Sequence, residues 1–467
     1  MSRVAFRSAS VLVAGRAAQL LLGVVQVRLL FVALTLDDAG RFSYVTGLAA
    51  LLSTLADAGA TTIAAREASR DPARERSLLG SLLALKLVLS LGAAVLFVLV
   101  SGATLGAEAS PAVLATGAVV AAGALSGADV VFQVRQRFFW PALFRVLSQA
   151  LLVAGFASFA AFSGGGLDLP SALLVYTAAT AAAPLATFLL ARRTAPFPLD
   201  AAGALPLLRL ALPHGIAAAF VTLYFHAGLI LLRNWKGDDA TAVYGAAFKL
   251  FGFAVLLPGL VMVSVLPLLA RDKLENPARG RALYERVFRV FAAVSLAGLA
   301  LLLNLGRPLV AALFGLERYS DSVPILVVFG LALVFVGAGS VASAALVAYG
   351  GQGAWMRIAG LGAAANLALN LVLIGPLGPL GPAVATAATE ALVAALAIVA
   401  VRRREGAHPF SSRFPRVGLA FALAFGVSFV LQEAPIAISL AGTALAVAAY
   451  LVRFERDAAD GGEGSAS

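Results

Sequence analysis

The sequence predicts an all-α polytopic membrane protein with about 14 transmembrane helices: two parallel six-helix repeats and an added C-terminal hairpin. Three observations carry that prediction. First, 61% of the 467 residues are apolar, 13% are charged, and the mean hydropathy is +0.94. A soluble domain is about 45–50% apolar and about 25% charged. The apolar residues suffice for about fourteen spans of roughly 20 residues each. Second, the apolar runs are long and rich in Leu, Ala and Val. The strands of an outer-membrane barrel would instead alternate in segments of about ten residues. Third, the chain echoes itself at an offset of 205 residues.

Composition also narrows the function classes. A soluble globular enzyme is excluded, as is a soluble domain on a single anchor. The chain has no Cys, which removes disulfides, thiolate metal sites and a cysteine nucleophile. The net charge of +11 is read as topology, because Arg and Lys collect in cytoplasmic loops. Nucleic acid is therefore not an expected partner.

The spans follow in order. The first, 8–32, opens after the basic start MSRVAFR; Arg16, Gln19, Gln26 and Arg28 make it too polar and too long for a cleavable leader. Spans 41–64 and 78–103 flank a loop holding Arg66, Arg70, Arg74 and Arg76. Spans 111–132 and 141–162 flank Arg135 and Arg137, and span 170–191 runs into Arg192 and Arg193. Spans 211–232 and 243–269 are separated by a short segment with Arg233 and Lys236. Spans 287–305 and 322–349 enclose the longest outside loop, Gly306 to Asp321. Spans 355–375 and 380–401 lead to Arg402, Arg403 and Arg404, and the short spans 417–432 and 435–452 end the series. With the N-terminus inside, most of the 35 Arg and Lys residues fall in inside loops, so both termini are expected in the cytoplasm.

The echo is specific. Arg28 falls on Arg233, Gly40 on Gly245, Ala65-Arg66-Glu67 on Ala270-Arg271-Asp272, and Pro72-Ala73-Arg74 on Pro277-Ala278-Arg279. The offset covers six spans, so the copies share one membrane orientation. Parallel repeats are related by an axis along the membrane normal, with a substrate path expected between them. The organisation reads as an N-terminal lobe, 1–200, a second lobe, 201–405, and a hairpin with a cytoplasmic tail, 406–467.

Charges inside spans are costly and normally face a cavity or a partner. Arg16, Asp57 and Lys86 lie at similar depth in the first three spans. Asp57 either tempers the two cations or ties helices together, and Lys86 either joins a polar cluster or snorkels to the surface. Arg28 and its mate Arg233 either flank the outer mouth or anchor span ends at the interface. Lys249 lies deeper in span 8. Glu390, near the middle of span 12, reads first as a structural hydrogen-bonding group and second as a coupling site for Na⁺ or H⁺. Asp129 reads as solvated, and Asn366 with Asn370 as a packing pair. No catalytic constellation, no P-loop for ATP and no metal-ligand spacing is present in the sequence, and no cofactor is expected.

Gly40-Arg41-Phe42-Ser43-Tyr44, then Leu55-Ala56-Asp57-Ala58-Gly59, then Arg66-Glu67 and Leu85-Lys86 resemble the polysaccharide biosynthesis/O-antigen (lipid-linked oligosaccharide) flippase family. Val243-Tyr244-Gly245-Ala246-Ala247-Phe248-Lys249-Leu250 is similar to that family's eighth-span opening. The family belongs to the multidrug/oligosaccharidyl-lipid/polysaccharide exporter superfamily. The resemblance implies two six-helix lobes forming a V around a central cavity. It implies a transporter, not an enzyme, in the bacterial cytoplasmic membrane. Its substrate would be a polyprenyl-diphosphate-linked oligosaccharide carried from the inner to the outer leaflet for cell-surface polysaccharide synthesis. Polysaccharide polymerase or ligase machinery would then be a partner, alongside membrane lipids. Arg16, Arg28, Lys86, Arg233 and Lys249 become candidate contacts for the anionic headgroup, with Asp57 and Glu390 as charge-pair or coupling candidates. A peptidoglycan lipid-precursor flippase and a multidrug exporter are the alternatives within the superfamily. A membrane polysaccharide polymerase or ligase is the alternative outside it.

Overall fold

A computed structural model describes residues 3–162, 164–410 and 414–455. The tail beyond residue 455, expected in the cytoplasm, lies outside the described residues. The described residues form helices joined by turns and loops, with no strand among them. Twelve of its helices are long and apolar enough to cross a membrane, and the shorter apolar helix Phe414–Val430 adds another. The chain is a multi-pass membrane protein. The seventh and eighth expected spans are one continuous element, Ala204–Glu275, broken at Gly237, whose φ of 83° and ψ of −173° are not helical. Counting that element twice and adding the short helix accounts for the expected number of spans.

The chain divides into two compact units, 1–242 and 243–467. The first begins with α1 (Arg3–Ala33), α2 (Leu36–Asp57), α3 (Ala60–Arg70) and α4 (Glu75–Leu105). Thr35 caps α2 by accepting from the Asp38 N–H at 3.2 Å, and Asp37 and Asp38 sit in its first turn, where the helix dipole favours acids. The fourth expected span is not one regular helix. It consists of α5 (Pro111–Ala115), α6 (Gly117–Ala122), a 3₁₀ stretch over Gly123–Ala128, and α7 (Asp129–Val134). Small residues permit this tightening: a Cβ at Gly127 would press on Leu82 and on the Lys86 stem. The unit continues with α8 (Phe139–Phe162), α9 (Leu169–Thr194) and the first segment of α10 (Ala204–Glu275).

In this unit α1 packs on α8, α8 on α9, and α4 on α2, α3 and α6. A core of Ile63, Leu79, Leu82, Val130, Phe132, Phe197, Leu207 and Ala211 joins α3, α4, α7 and the start of α10. Leu207 and Ala211 show why the unit extends past residue 200, where the sequence echo alone draws the lobe. The loop before α10 is tied down by Asp200. Its carboxylate accepts from Ser77 and Ser81 of α4, at 3.1 and 2.9 Å, and from the Gly203 N–H at 3.1 Å.

The second unit holds the rest of α10, α11 (Pro277–Phe314), α12 (Leu316–Tyr319), α13 (Ser322–Ala348), α14 (Gln352–Leu377) and α15 (Leu380–Glu405), then α16 (Val417–Val430) and α17 (Ile436–Glu455). Helix α13 packs between α11 and α15, α14 packs on α15, and the α16–α17 hairpin packs on α11. The echoed segments use the same devices in both units. Arg66 binds Glu67 at 3.0 Å, and Arg271 binds Asp272 at 3.0 Å. Ahead of each repeated Pro-Ala-Arg an Asx side chain accepts from the backbone: Asp71 from Ala73 and Asn276 from Arg279, both at 3.1 Å.

Candidate functional site

The Asp57-Ala58-Gly59 motif ends a helix inside the second expected span. Ala58 and Gly59 both take left-handed backbone angles, with φ of 47° and 71°, and these separate α2 from α3. Glycine is required at 59 twice over. The angle favours it, and an added Cβ would stand 2.8 Å from the Gly215 backbone N of α10. The break leaves Asp57 at the end of α2. There its Oδ1 accepts from the Thr61 hydroxyl at 2.5 Å and from Lys86 Nζ at 2.6 Å.

Lys86 is 2% exposed. Its ammonium donates to Asp57, to Thr61 at 3.1 Å and to Ser126 of the 3₁₀ stretch at 2.8 Å. All three donors of the ammonium are thereby used. One cation joins α2, α3, α4 and the unwound part of the fourth span. Asp57 keeps a side-chain exposure of 30%, so its carboxylate is only partly enclosed.

Arg16 does not join that pair. It donates to Gln19 on its own helix at 2.9 Å. Gly15 lets α1 close on Ala142 of α8, where an added Cβ would meet the Ala142 Cβ at 3.2 Å. That approach brings Arg16 within electrostatic range of Arg145, one turn further along α8. Arg145 is a residue that span counting misses, since it sits at a span margin. It pairs with Asp129, whose side chain is only 14% exposed, so Asp129 is an ion-pair partner and not the solvated acid expected from its position. Two arginines thus act on one another, Arg16 bonded to an amide and Arg145 to an acid.

Arg233 is caged. Its guanidinium donates to Asp238 at 2.8 Å, to the Thr104 carbonyl at 2.8 Å and to Glu108 at 3.0 Å, and lies 5.1 Å over the Tyr44 ring. Arg41 shares both acids, at 3.0 Å from Asp238 and 3.2 Å from Glu108, and also pairs with Asp37 at 2.7 Å. The network pins the first segment of α10 to α2 and α4. Arg28, its repeat mate, is exposed and has no hydrogen-bond or ion-pair partner among the described residues.

In the second unit Lys249 is half-buried and likewise has no such partner among the described residues. Aromatic side chains surround its turn of α10. Tyr244 and Phe248 stack at 5.6 Å, and Phe251 stacks on Phe329 at 4.4 Å. Glu390 is 4% exposed on α15, next to a buried polar seam in which Asn370 donates to Asn366 at 2.8 Å and Asn366 to Thr389 at 3.2 Å. No group of three or more His, Asp or Glu among the described residues is placed to hold a metal ion.

The geometry sorts the cations into two kinds. Lys86 and Arg233 are bonded to acids and enclosed. Among the described residues Arg28 and Lys249 have no acid partner, and Arg16 has a neutral amide and a like charge. The second kind can accept an anion without first breaking an internal ion pair.

Residues 5–272 match the family model described as "Polysaccharide biosynthesis protein". The fold is shared with several solved transporters. "Lipid II flippase MurJ, inward closed conformation" superposes with a TM-score of 0.74 at 15% identity, covering 97% of this chain and 99% of that one. An inward-facing multidrug resistance MATE family transporter of the MOP superfamily gives 0.64 at 15% identity, covering 85% and 98%. A MOP superfamily transporter from Pyrococcus furiosus gives 0.62 at 16% identity, covering 87% and 96%. A comparison with curated proteins finds no match.

Proposed function

The chain belongs to the polysaccharide biosynthesis protein family, and from that premise we propose that it is a flippase for a polyprenyl-diphosphate-linked oligosaccharide. It would carry the substrate from the inner to the outer leaflet of the cytoplasmic membrane by alternating access, with both termini in the cytoplasm. The observation that carries this reading is the set of intramembrane cations without acid partners among the described residues: Arg28 and Lys249, joined by Arg16, which donates to Gln19 and has Arg145 as a like-charged neighbour. A diphosphate brings two or more negative charges, and in a low-dielectric environment a guanidinium fork or an ammonium would each meet it strongly. Cations at several depths would allow hand-over in place of trapping. Lys86 and Arg233 are assigned to holding the first unit together, because their donors are already committed to Asp57, Asp238 and Glu108. Arg145, paired with Asp129, is added as a neighbour of the Arg16 contact.

Energy would come from an ion gradient or from the substrate gradient, with Glu390 as the residue to test for Na⁺ or H⁺ dependence. The product would pass to polysaccharide polymerase or ligase machinery. The test is translocation of lipid-linked oligosaccharide in proteoliposomes, comparing the native chain with Arg16→Ala, Arg28→Ala and Lys249→Ala at matched insertion. Loss of headgroup transfer in folded variants supports the assignment. Full transfer by all three removes the site while leaving the flippase reading. Export of a cationic dye with no lipid-linked glycan transfer moves the chain to drug export, and glycosidic-bond formation by the purified protein would make it an enzyme.

A further inference from the structure

The first unit carries a second cationic surface, remote in sequence from Arg16 and Arg28. We propose that the α7–α8 turn binds an anionic phospholipid, with the headgroup phosphate at Arg137 and Arg193 and an acyl chain along α8. The reading does not depend on what the protein transports.

The surface is built around Arg135. Its guanidinium pairs with Glu75 at 3.1 Å and donates to the Thr194 carbonyl at 3.4 Å. The start of α4, the end of α7 and the end of α9 therefore meet at one residue. The turn after α7 is held tight. Gln136 takes a φ of 53°, and the Arg137 N–H closes on the Phe132 carbonyl at 2.8 Å. Around this hub Arg74, Arg76, Arg137 and Arg193 are exposed and have no hydrogen-bond or ion-pair partner among the described residues. Glu75 is already taken by Arg135, so the patch has a large uncompensated positive charge.

What distinguishes this patch is the cluster of aromatic rings at its edge, at the head of the apolar face of α8. Phe139 and Trp140 are 53% and 46% exposed and stack edge to face at 5.3 Å, and Phe144 follows at 6.0 Å from Trp140. Leu147 and Leu151 continue the exposure at 49% and 55%. Positions 140, 144, 147 and 151 share one helix face. The stripe is about 17 Å long at 1.5 Å per residue, which matches a length of acyl chain. Aromatic rings at its head suit the boundary between headgroup and hydrocarbon. A soluble polyanion would use the arginines and leave the stripe unused; an anionic phospholipid uses both.

The test is fluorescence quenching of Trp140 in a Trp235→Phe/Trp355→Phe chain, reconstituted in phosphatidylcholine with increasing brominated phosphatidylglycerol or brominated phosphatidylcholine. Brominated phosphatidylglycerol should quench at the lower mole fraction, with a preference of about fivefold per arginine. Arg137→Ala/Arg193→Ala should abolish the preference, and Arg137→Lys/Arg193→Lys should largely keep it. Equal quenching by the two brominated lipids overturns the proposal, as does a preference that survives the alanine pair. Loss of the preference on adding millimolar inorganic phosphate would reassign the site to a soluble anion and also overturns it. Should the tryptophan-substituted chain not fold, native mass spectrometry of the unmodified chain reads the same quantity. Retention of phosphatidylglycerol over phosphatidylcholine should fall in the alanine pair, and unchanged retention refutes the site.

Discussion

Replacing Lys86 with Met separates a structural cation from a substrate contact. The side chain keeps its length and loses its charge, so the change acts on three bonds: Asp57 at 2.6 Å, Ser126 at 2.8 Å and Thr61 at 3.1 Å. The two hydroxyl bonds are worth about 0.6 kcal/mol each by the average for interhelical bonds in membranes. Breaking one side of a buried ion pair costs about 3–5 kcal/mol. The carboxylate left behind is 30% exposed and can recruit water, which places Lys86→Met at the lower end. The expected loss is about 3 kcal/mol. Asp57→Asn should cost as much or more, because it leaves an ammonium that is 3% exposed facing only an amide and two hydroxyls. With both changed, no charge is stranded, and the double variant should lose only about 1 kcal/mol. Unfolding in graded detergent mixtures measures all three against the native chain. Single losses that add up to the double loss within about 0.5 kcal/mol would refute the coupling. Transport then gives a second reading. A folded double variant that still translocates its substrate places Lys86 in the scaffold, and one that folds but does not transport places it at the substrate.

Asp238→Ala removes an acid shared by Arg41 and Arg233, with Glu108 still holding both; it should cost about 2 kcal/mol in the same unfolding assay, and no measurable loss would show the cage to be ornamental. Gly59→Ala forces a Cβ into a left-handed residue and onto the Gly215 backbone, whereas Gly164→Ala meets the same angle in open space. The first should therefore cost more than the second, which should show only the backbone cost of about 1–2 kcal/mol; equal losses would mean that the helix contact is slack. The Gly203 N–H, then the Ser81 and Ser77 hydroxyls, hold the Asp200 carboxyl below the usual carboxylate range. Its contribution to stability is therefore complete above the unfolded-state value of about 3.9 and is lost as pH falls through the lower folded value. Thermal scans from pH 6 downward should show an acid loss in the native chain that Asp200→Asn lacks, and parallel curves would remove Asp200 as its source.

Much of the fold is legible in the sequence because bilayer thickness sets a minimum length for each apolar run. Depth counting also places Asp57 and Lys86 at one level. What it cannot supply is azimuth. Arg16 shares that level yet faces α8, and its neighbour Arg145 is hidden by its place at a span margin. The break after Asp57 is signalled by Gly59, but the second left-handed residue is Ala58, which carries no such mark. Span 4 is smooth in hydropathy and irregular in structure. The signal there is its three glycines, Gly117, Gly123 and Gly127, beside the helix that carries Lys86. The cage on Arg233 depends on Glu108, distant in sequence in the turn after α4, so a list of intramembrane charges counts Arg233 as available when its bonds are already made.

That cage has a counterpart in the echo. Shifted by 205 residues, Asp238 falls on Ala33, and Glu108 would call for an acid where Leu313 stands. The same arginine therefore occurs twice in the repeat, once with its counter-ions and once without them. After a duplication, one copy can become scaffold while its twin is released from that duty, and two missing carboxylates are enough to divide the labour. Ala33→Asp would set the two copies back towards equivalence, turning a cation that is open to an external partner into one that answers only to its own helix.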